Sequence, residues 1–208
     1  MNKTAKKKST LSELKSKERQ DRKDLIIDAA ERVFATRPFN RVSMREIADE
    51  AGIAASSIYT YFPNQEALFV EATVRDSTTF LDELGKITAG GPVTADSFDR
   101  LIDTFFDFIS THDSYFRMMV VFMTHGQLNP DSLQRVNALV GRGLDIFEQV
   151  ISDLGYRGDT RLLAHYFFAM MNGILVNYRK YEGRREEEVT AFMKKVAKVF
   201  KDLLLKSI

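Results

Sequence analysis

A chain of 208 residues, 44% hydrophobic and 28% charged, has the composition of an ordinary soluble globular protein and is long enough for one large or two small domains. It has no cysteine, which excludes disulfides and thiolate metal sites, and no apolar run approaches the ~18 residues of a membrane span. The net charge is only +1, yet residues 1–23 hold nine Lys/Arg against three Asp/Glu; such a basic start suits attraction to a polyanion, and equally a solubilising disordered tail.

In chain order, residues 1–21 are expected to form a basic flexible arm. They contain no apolar core of a secretory signal, so a cytoplasmic location is expected. From residue 22, Leu25, Ile26, Ala29, Ala30, Val33 and Phe34 recur at helical spacing. This first helix should stop near Thr36, because Pro38 disfavours the α region in the residue before it. Ser43 with Glu46 three residues later reads as a capping box, so a second helix starts at Met44 and ends before Gly52. A third opens at Ala54 or Ala55 and runs to about Tyr61; Pro63 and Asn64 break it, and a long fourth begins near Gln65. The segment "TAGGPVTAD" is the clearest punctuation in the chain. Beyond it five further stretches have helical periodicity, most with capping or breaking residues at their ends. The expected fold is therefore all-α with about nine helices: a three-helix domain over 22–68, then a larger helical body over 69–208.

Residues 43–62 have the pattern of a helix-turn-helix, in which two short helices cross closely over a tight turn. Ala48 is small where the second helix passes, Gly52 tolerates positive φ in the turn, and Ile58 is an apolar anchor facing inward. Ile47, Ile53 and Phe62 complete a small core with Val33 and Phe34. Three helices this short cannot hold a core alone, so Leu68 and Phe69 of the fourth are expected beneath them. An ordinary helical hairpin is the alternative on these residues alone.

The stretch "FNRVSMREIADEAGIAASSIYTYFPNQEALF" resembles the DNA-binding domain of the TetR family of bacterial transcriptional regulators. The resemblance is close over about residues 22–70; the remainder agrees in length and helical character. It implies that the helix spanning residues 54–61 lies in the major groove of double-stranded DNA, with Ala55, Ser56 and Thr60 facing base edges. Ser57, Tyr59 and Tyr61 would reach phosphates through their hydroxyls, although packing is the alternative for either tyrosine. Ser43 would present its hydroxyl and nearby backbone N–H groups to a phosphate at the start of the second helix. Arg45, and less directly Arg41, are further candidates. Many relatives carry Ser-Lys at positions 54–55 and Lys at 65, where this chain has Ala54, Ala55 and Gln65. A helix cap and two cations are thus missing, and Lys15, Lys17, Arg19, Arg22 and Lys23 are expected to supply the charge.

The resemblance also implies an effector cavity and a homodimer in the body. Phe98, Phe105, Phe116, Met119, Phe122, Met123 and Met170 form dense Phe/Met stripes, which are core as readily as ligand site. The expected effector is a mostly apolar small molecule, such as a fatty-acyl or aromatic compound, with His125, Tyr166, Asn172 and Arg117 as polar anchors. The last two helices carry apolar residues on more than one face, which points to a partner surface. Leu162, Phe168, Gly173, Val176, Phe192, Val196, Val199 and Phe200 are the dimer candidates. A two-fold dimer matches a palindromic operator, and the ligand would release it from DNA, most simply as a repressor. An alternative makes the body a protein-interaction platform, whose sign would be an exposed apolar patch without an enclosed cavity. With three scattered histidines and no paired His/carboxylate spacing, no catalytic site, metal or cofactor is expected.

Overall fold

The computed structural model describes residues 10–37, 39–91, 93–112, 115–117, 119–120, 128–179 and 183–206. Every regular element among them is helical: α1 Leu11–Thr36, a 3₁₀ turn Phe39–Arg41, α2 Met44–Glu50, α3 Ala55–Ile58, α4 Gln65–Ala89, α5 Ala95–Thr111, α6 Pro130–Asp153, α7 Thr160–Tyr178 and α8 Glu186–Lys206. Residues 115–117 and 119–120 are helical as well. The described residues form two compact units, one ending at Ala72 and the other beginning at Thr73, so the division falls within α4. The expected boundary at 68/69 lies in the first turn of that helix.

α1 begins eleven residues earlier than its apolar periodicity predicts. Thr10 accepts from the Glu13 N–H while the Glu13 carboxylate accepts from the Thr10 N–H, a complete capping box. The helix formers Leu, Glu, Lys, Arg and Gln then continue without Gly or Pro. The expected flexible arm is therefore helical from Leu11 onward, because propensity and capping sustain it where no apolar stripe exists. Leu25, expected in the core, is exposed; Ile27 is buried in its place, beside Ile26, Ala29, Ala30 and Phe34. α2 carries the capping box expected from Ser43 and Glu46.

In the first unit, Ile47, Ala48, Ile58, Phe62, Leu68 and Phe69 are buried with the α1 residues, and Phe34, Phe39 and Phe69 pack ring against ring. Two ion pairs, Arg32–Glu50 and Arg37–Glu46, join α1 to α2. The Glu46 carboxyl is held below its ordinary value by the Ser43 backbone N–H and hydroxyl, with Arg37 adding to them.

In the second unit, α5 buries Phe98, Leu101, Ile102, Phe105, Phe106, Phe108 and Ile109, one side of an amphipathic helix. α6 packs on α7 and α5 on α8. On its other side α5 sets Asp99, Asp103 and Asp107, one turn apart, against Lys201, Lys198 and Lys194 of α8, at 2.6, 3.1 and 2.6 Å. Solvent screening separates these pairs energetically. Lys201 and Asp99 are only 13% and 29% exposed, whereas Asp107 is 62% exposed. Asp99→Ala, which strands a largely buried ammonium, is expected to cost about 1–2 kcal/mol, and Asp107→Ala under about 0.5 kcal/mol. Urea unfolding of both variants measures the difference.

Candidate nucleic-acid interface and internal cavity

The chain reverses between α2 and α3 over Ala51–Ala54, where Gly52 has φ +70°. A side chain there would strain the backbone, although open space surrounds the position. The Ile53 N–H donates to the Ala48 carbonyl, tying the turn to the helix before it. Ala48 and Ile58 are fully buried. The structure thus brings together the three residues that sequence spacing assigns to the close crossing. Ala54 gives α3 no side-chain cap, and α3 is regular only to Ile58. Through Tyr61 the backbone continues in tight i→i+3 bonds, Ser57 to Thr60 and Ile58 to Tyr61. The helix expected to reach Tyr61 therefore ends as turns.

Around the buried anchor, Ser56, Ser57, Tyr59 and Thr60 are exposed, with Tyr59 at 55%. Ala55 and Tyr61 are half-buried, and Arg41 and Arg45 are exposed. Residues 55–61 offer hydroxyls and one small apolar side chain and carry no charge; Arg41 and Arg45 lie outside this segment. Ser43 differs from its expected state. Its N–H and hydroxyl both donate to Glu46 Oε2, at 2.8 and 2.9 Å, so a phosphate would compete with that carboxylate for the same donors. Gln65, at the position where a cation is missing, donates from Nε2 to the Phe39 carbonyl at 2.7 Å and is spent on the protein's own backbone.

One contact was not legible in the residue pattern. Arg19 donates to the Thr60 carbonyl at 3.4 Å, and its guanidinium lies over the Tyr61 ring, 5.6 Å from the centroid. A cation on the same helical face as the α1 core residues is the signal that could have found it.

The second unit contains a partly open cavity of about 60 Å³, with the exposed Val176 at its rim. α4 lines it with Thr73, Ser77, Phe80, Leu81 and Leu84, and α5 with Phe105 and Ile109. Tyr115, Phe116, Met119 and Val120 form another side, with Val136, Leu139, Val140, Gly143 and Phe147 of α6 and Phe168, Asn172, Leu175 and Val176 of α7. Of the expected ligand residues, Phe105, Phe116, Met119 and Asn172 line this space. Phe98 does not: it packs on Phe167 and Phe200 in solid core. Met170 packs against the core cluster without reaching the cavity, and Arg117 is exposed outside its lining. Phe122, Met123 and His125 lie outside the described residues.

No charged side chain is among the described lining residues. The polar groups are neutral. Ser77 donates to the Tyr115 hydroxyl at 3.2 Å, Thr73 is fully buried, and Asn172 donates to its own helix at the Phe168 carbonyl. Two hydroxyls one turn apart on the buried face of α4, Thr73 and Ser77, are a signal that sequence reading passed over. Burial pushes the Tyr115 hydroxyl up to about 12, Asp76 adds to this, and the Ser77 hydrogen bond opposes it. The folded chain therefore holds this proton more tightly than the unfolded one. Stability should be complete below pH 10 and fall as pH rises toward 12, by about 2–3 kcal/mol. Tyr115→Phe is expected to flatten that alkaline limb in unfolding curves taken between pH 9 and 12.

The dimer candidates divide by helical phase. Leu162, Tyr166, Gly173 and Val176 share one stripe of α7, on which Leu162, Tyr166 and Val176 are exposed. Tyr166, expected in the ligand site, thus points to solvent. Phe168, two residues and about 200° further round than Tyr166, lines the cavity instead. On α8, Phe192, Val199 and Leu203 are exposed along one stripe, whereas Val196 and Phe200 pack on the core. Among the described residues no helix is long and apolar enough to cross a membrane.

Residues 26–72 match the family described as bacterial regulatory proteins, tetR family. An uncharacterized HTH-type transcriptional regulator of Haemophilus influenzae is 36% identical over 101 residues, which are 46% of this chain and 47% of that protein. The match thus spans about half the length of this curated relative. Among solved structures, the fatty acid degradation regulator FadR from Bacillus halodurans has a TM-score of 0.73 at 20% identity, over 86% of this chain and 94% of its own. FadR from Bacillus subtilis in complex with stearoyl-CoA scores 0.69 at 19% identity, over 88% and 98%. A transcriptional regulator from Saccharomonospora viridis in complex with choline scores 0.73 at 18% identity, over 86% and 96%. At these identities the likeness is one of fold.

Proposed function

Because the chain belongs to the tetR family of bacterial regulatory proteins, we propose that it is a cytoplasmic transcriptional repressor, binding a palindromic operator as a homodimer and released by a mostly apolar small molecule. The observation that carries the DNA-binding half is the contrast within residues 55–60: Ile58 is fully buried while Ser56, Ser57, Tyr59 and Thr60 stand exposed around it. A short helix anchored on one side and hydroxylated on the other can enter a major groove. Ser56 and Thr60 would then read base edges, and Ser57 and Tyr59 would hold phosphates.

The effector half rests on the cavity. Its lining is apolar apart from neutral hydroxyls and one amide, which favours an acyl chain or a neutral aromatic compound over a small cation. About 60 Å³ is well below the ~300–1,000 Å³ typical of a small-molecule site, so an effector has to enlarge the space. Met119 is an adaptable side chain in the lining, whereas Phe116 is held under the Arg179 guanidinium, 4.4 Å from its ring centroid. Because α4 lines the cavity and is one continuous helix from Gln65, enlargement there can be felt at its start. The effector would favour the conformation that does not span both half-sites. The exposed apolar stripes of α7 and α8 would meet their copies across the dimer axis.

A duplex selected from a random-sequence library by the full-length chain, labelled for fluorescence anisotropy, tests both halves together. Titrating stearoyl-CoA or octadecanol into the complex should release the DNA, and choline should not. Release by choline alone would overturn the apolar assignment.

A further inference from the structure

The helical phase of α1 runs unbroken through a change in chemistry. Ile26, Ala29, Ala30 and Phe34 fill an arc of about 140° that faces the core of the first unit. In the preceding turns the same arc is occupied by Lys15, Arg19, Arg22 and Lys23. The acidic residues Glu13, Asp21 and Asp24 lie off it, and Glu18 sits at its edge, paired with Arg22 at 2.9 Å. The face that is apolar under the helix-turn-helix thus becomes basic where α1 extends past it.

Two contacts hold this basic face beside the recognition segment. Arg19 donates to the Thr60 carbonyl and covers the Tyr61 ring, and Lys23 Nζ lies 5.8 Å from the Phe62 ring centroid. The recognition segment itself has no cation. Arg32 and Arg37 are paired with Glu50 and Glu46, and Gln65 is turned to Phe39. The α1 extension is the flanking element whose cations touch the recognition segment, while the exposed Arg41 and Arg45 lie on the 3₁₀ turn and on α2.

We infer that this basic face, Lys15, Arg19 and Lys23 with Arg22, is a second phosphate-binding surface for double-stranded DNA, set alongside the recognition segment by the contact of Arg19 with Thr60 and Tyr61. The inference rests on the DNA-binding reading above and adds a separate element to it. From Lys15 to Lys23 the helix rises about 12 Å, the rise of three to four base pairs, so its cations can meet successive phosphates. Duplex DNA fits better than an anionic membrane because the face abuts exposed hydroxyls. The exposed Leu11 and Leu14, which would favour a lipid surface, lie at or beyond the edge of the basic arc.

The test uses the full-length chain and the duplex it selects from a random-sequence library, with affinity measured against potassium chloride concentration. Lys15→Gln/Lys23→Gln leaves the Arg19 contact in place and removes two exposed charges. Two protomers would sit on each duplex, so four charges are lost; the variant's log–log salt slope should be shallower by about 3–4, and its affinity at 0.1 M salt roughly 100- to 4,000-fold lower. Lys15→Arg/Lys23→Arg should restore both. If the wild type selects and binds a duplex but the glutamine variant keeps its slope, the inference is overturned while the DNA-binding reading stands. If the wild type selects no duplex, that reading fails and takes the inference with it. Loss of binding to phosphatidylcholine/phosphatidylglycerol vesicles with an unchanged DNA slope would assign the face to a membrane instead.

Discussion

Ile58→Ala should lower the stability of the helix-turn-helix unit by about 2–5 kcal/mol, the range for emptying a fully buried aliphatic site. Against a reserve on the order of 0.05–0.15 kcal/mol per residue, about 4–11 kcal/mol for this unit, the loss should raise its unfolded population by roughly 30-fold or more. Apparent affinity for DNA falls only with the competent fraction, so the stability loss is the larger effect expected. The neighbouring residue gives the contrast. Tyr59→Ala removes an exposed side chain, so its stability effect should stay within about 0.5 kcal/mol. Its DNA affinity should still fall by roughly 100-fold, the equivalent of one hydrogen bond to a charged group in each of two half-sites. Hydrogen exchange on residues 44–62 together with binding isotherms separates the anchor from the reader. Equal stability losses in both variants would contradict the assignment.

Val140→Phe should abolish the response to effector while sparing DNA binding. Val140 is half-buried on α6 and lines the cavity, so the larger ring occupies the space an acyl chain needs. Overpacking costs about 1–3 kcal/mol where no room exists, and less here because the cavity absorbs part of the ring. In the wild type, stearoyl-CoA at a hundredfold excess over its Kd should stabilise the fold by about 2.7 kcal/mol. That corresponds to a rise in Tm of roughly 5–11 °C for a chain of this length. The variant should show almost none of it, and its ligand-free affinity for the duplex should remain within about threefold of wild type. A full thermal shift in Val140→Phe would place the effector elsewhere.

Local chemistry accounts for how much of this was legible in the residues. The capping box at Ser43, the stop before Pro38, the positive φ of Gly52 and the buried pair Ala48 and Ile58 follow from side chains within a few positions of one another. The α1 extension was missed because hydrophobic periodicity marks only helices that bury a face, whereas Leu11–Lys23 is held by capping and propensity. Phe/Met density did not separate cavity from core: Phe98 packs against rings on two other helices, and Phe105 on the same helix borders open space. That difference lies in the gap between helices, which no single stretch of sequence encodes. Phe168 and Tyr166 show the same limit, being two residues apart yet on opposite sides of α7.

The central claim is that residues 55–61 read duplex DNA in a two-fold arrangement. Selection from a random-sequence library by the full-length chain, followed by hydroxyl-radical footprinting of the enriched duplex, tests it most directly. The expected result is a palindrome whose half-site centres lie about one helical turn apart, ~34 Å or somewhat more, with protection lost in Tyr59→Ala. Failure to enrich any duplex, or an asymmetric site protected equally in Tyr59→Ala, would contradict it.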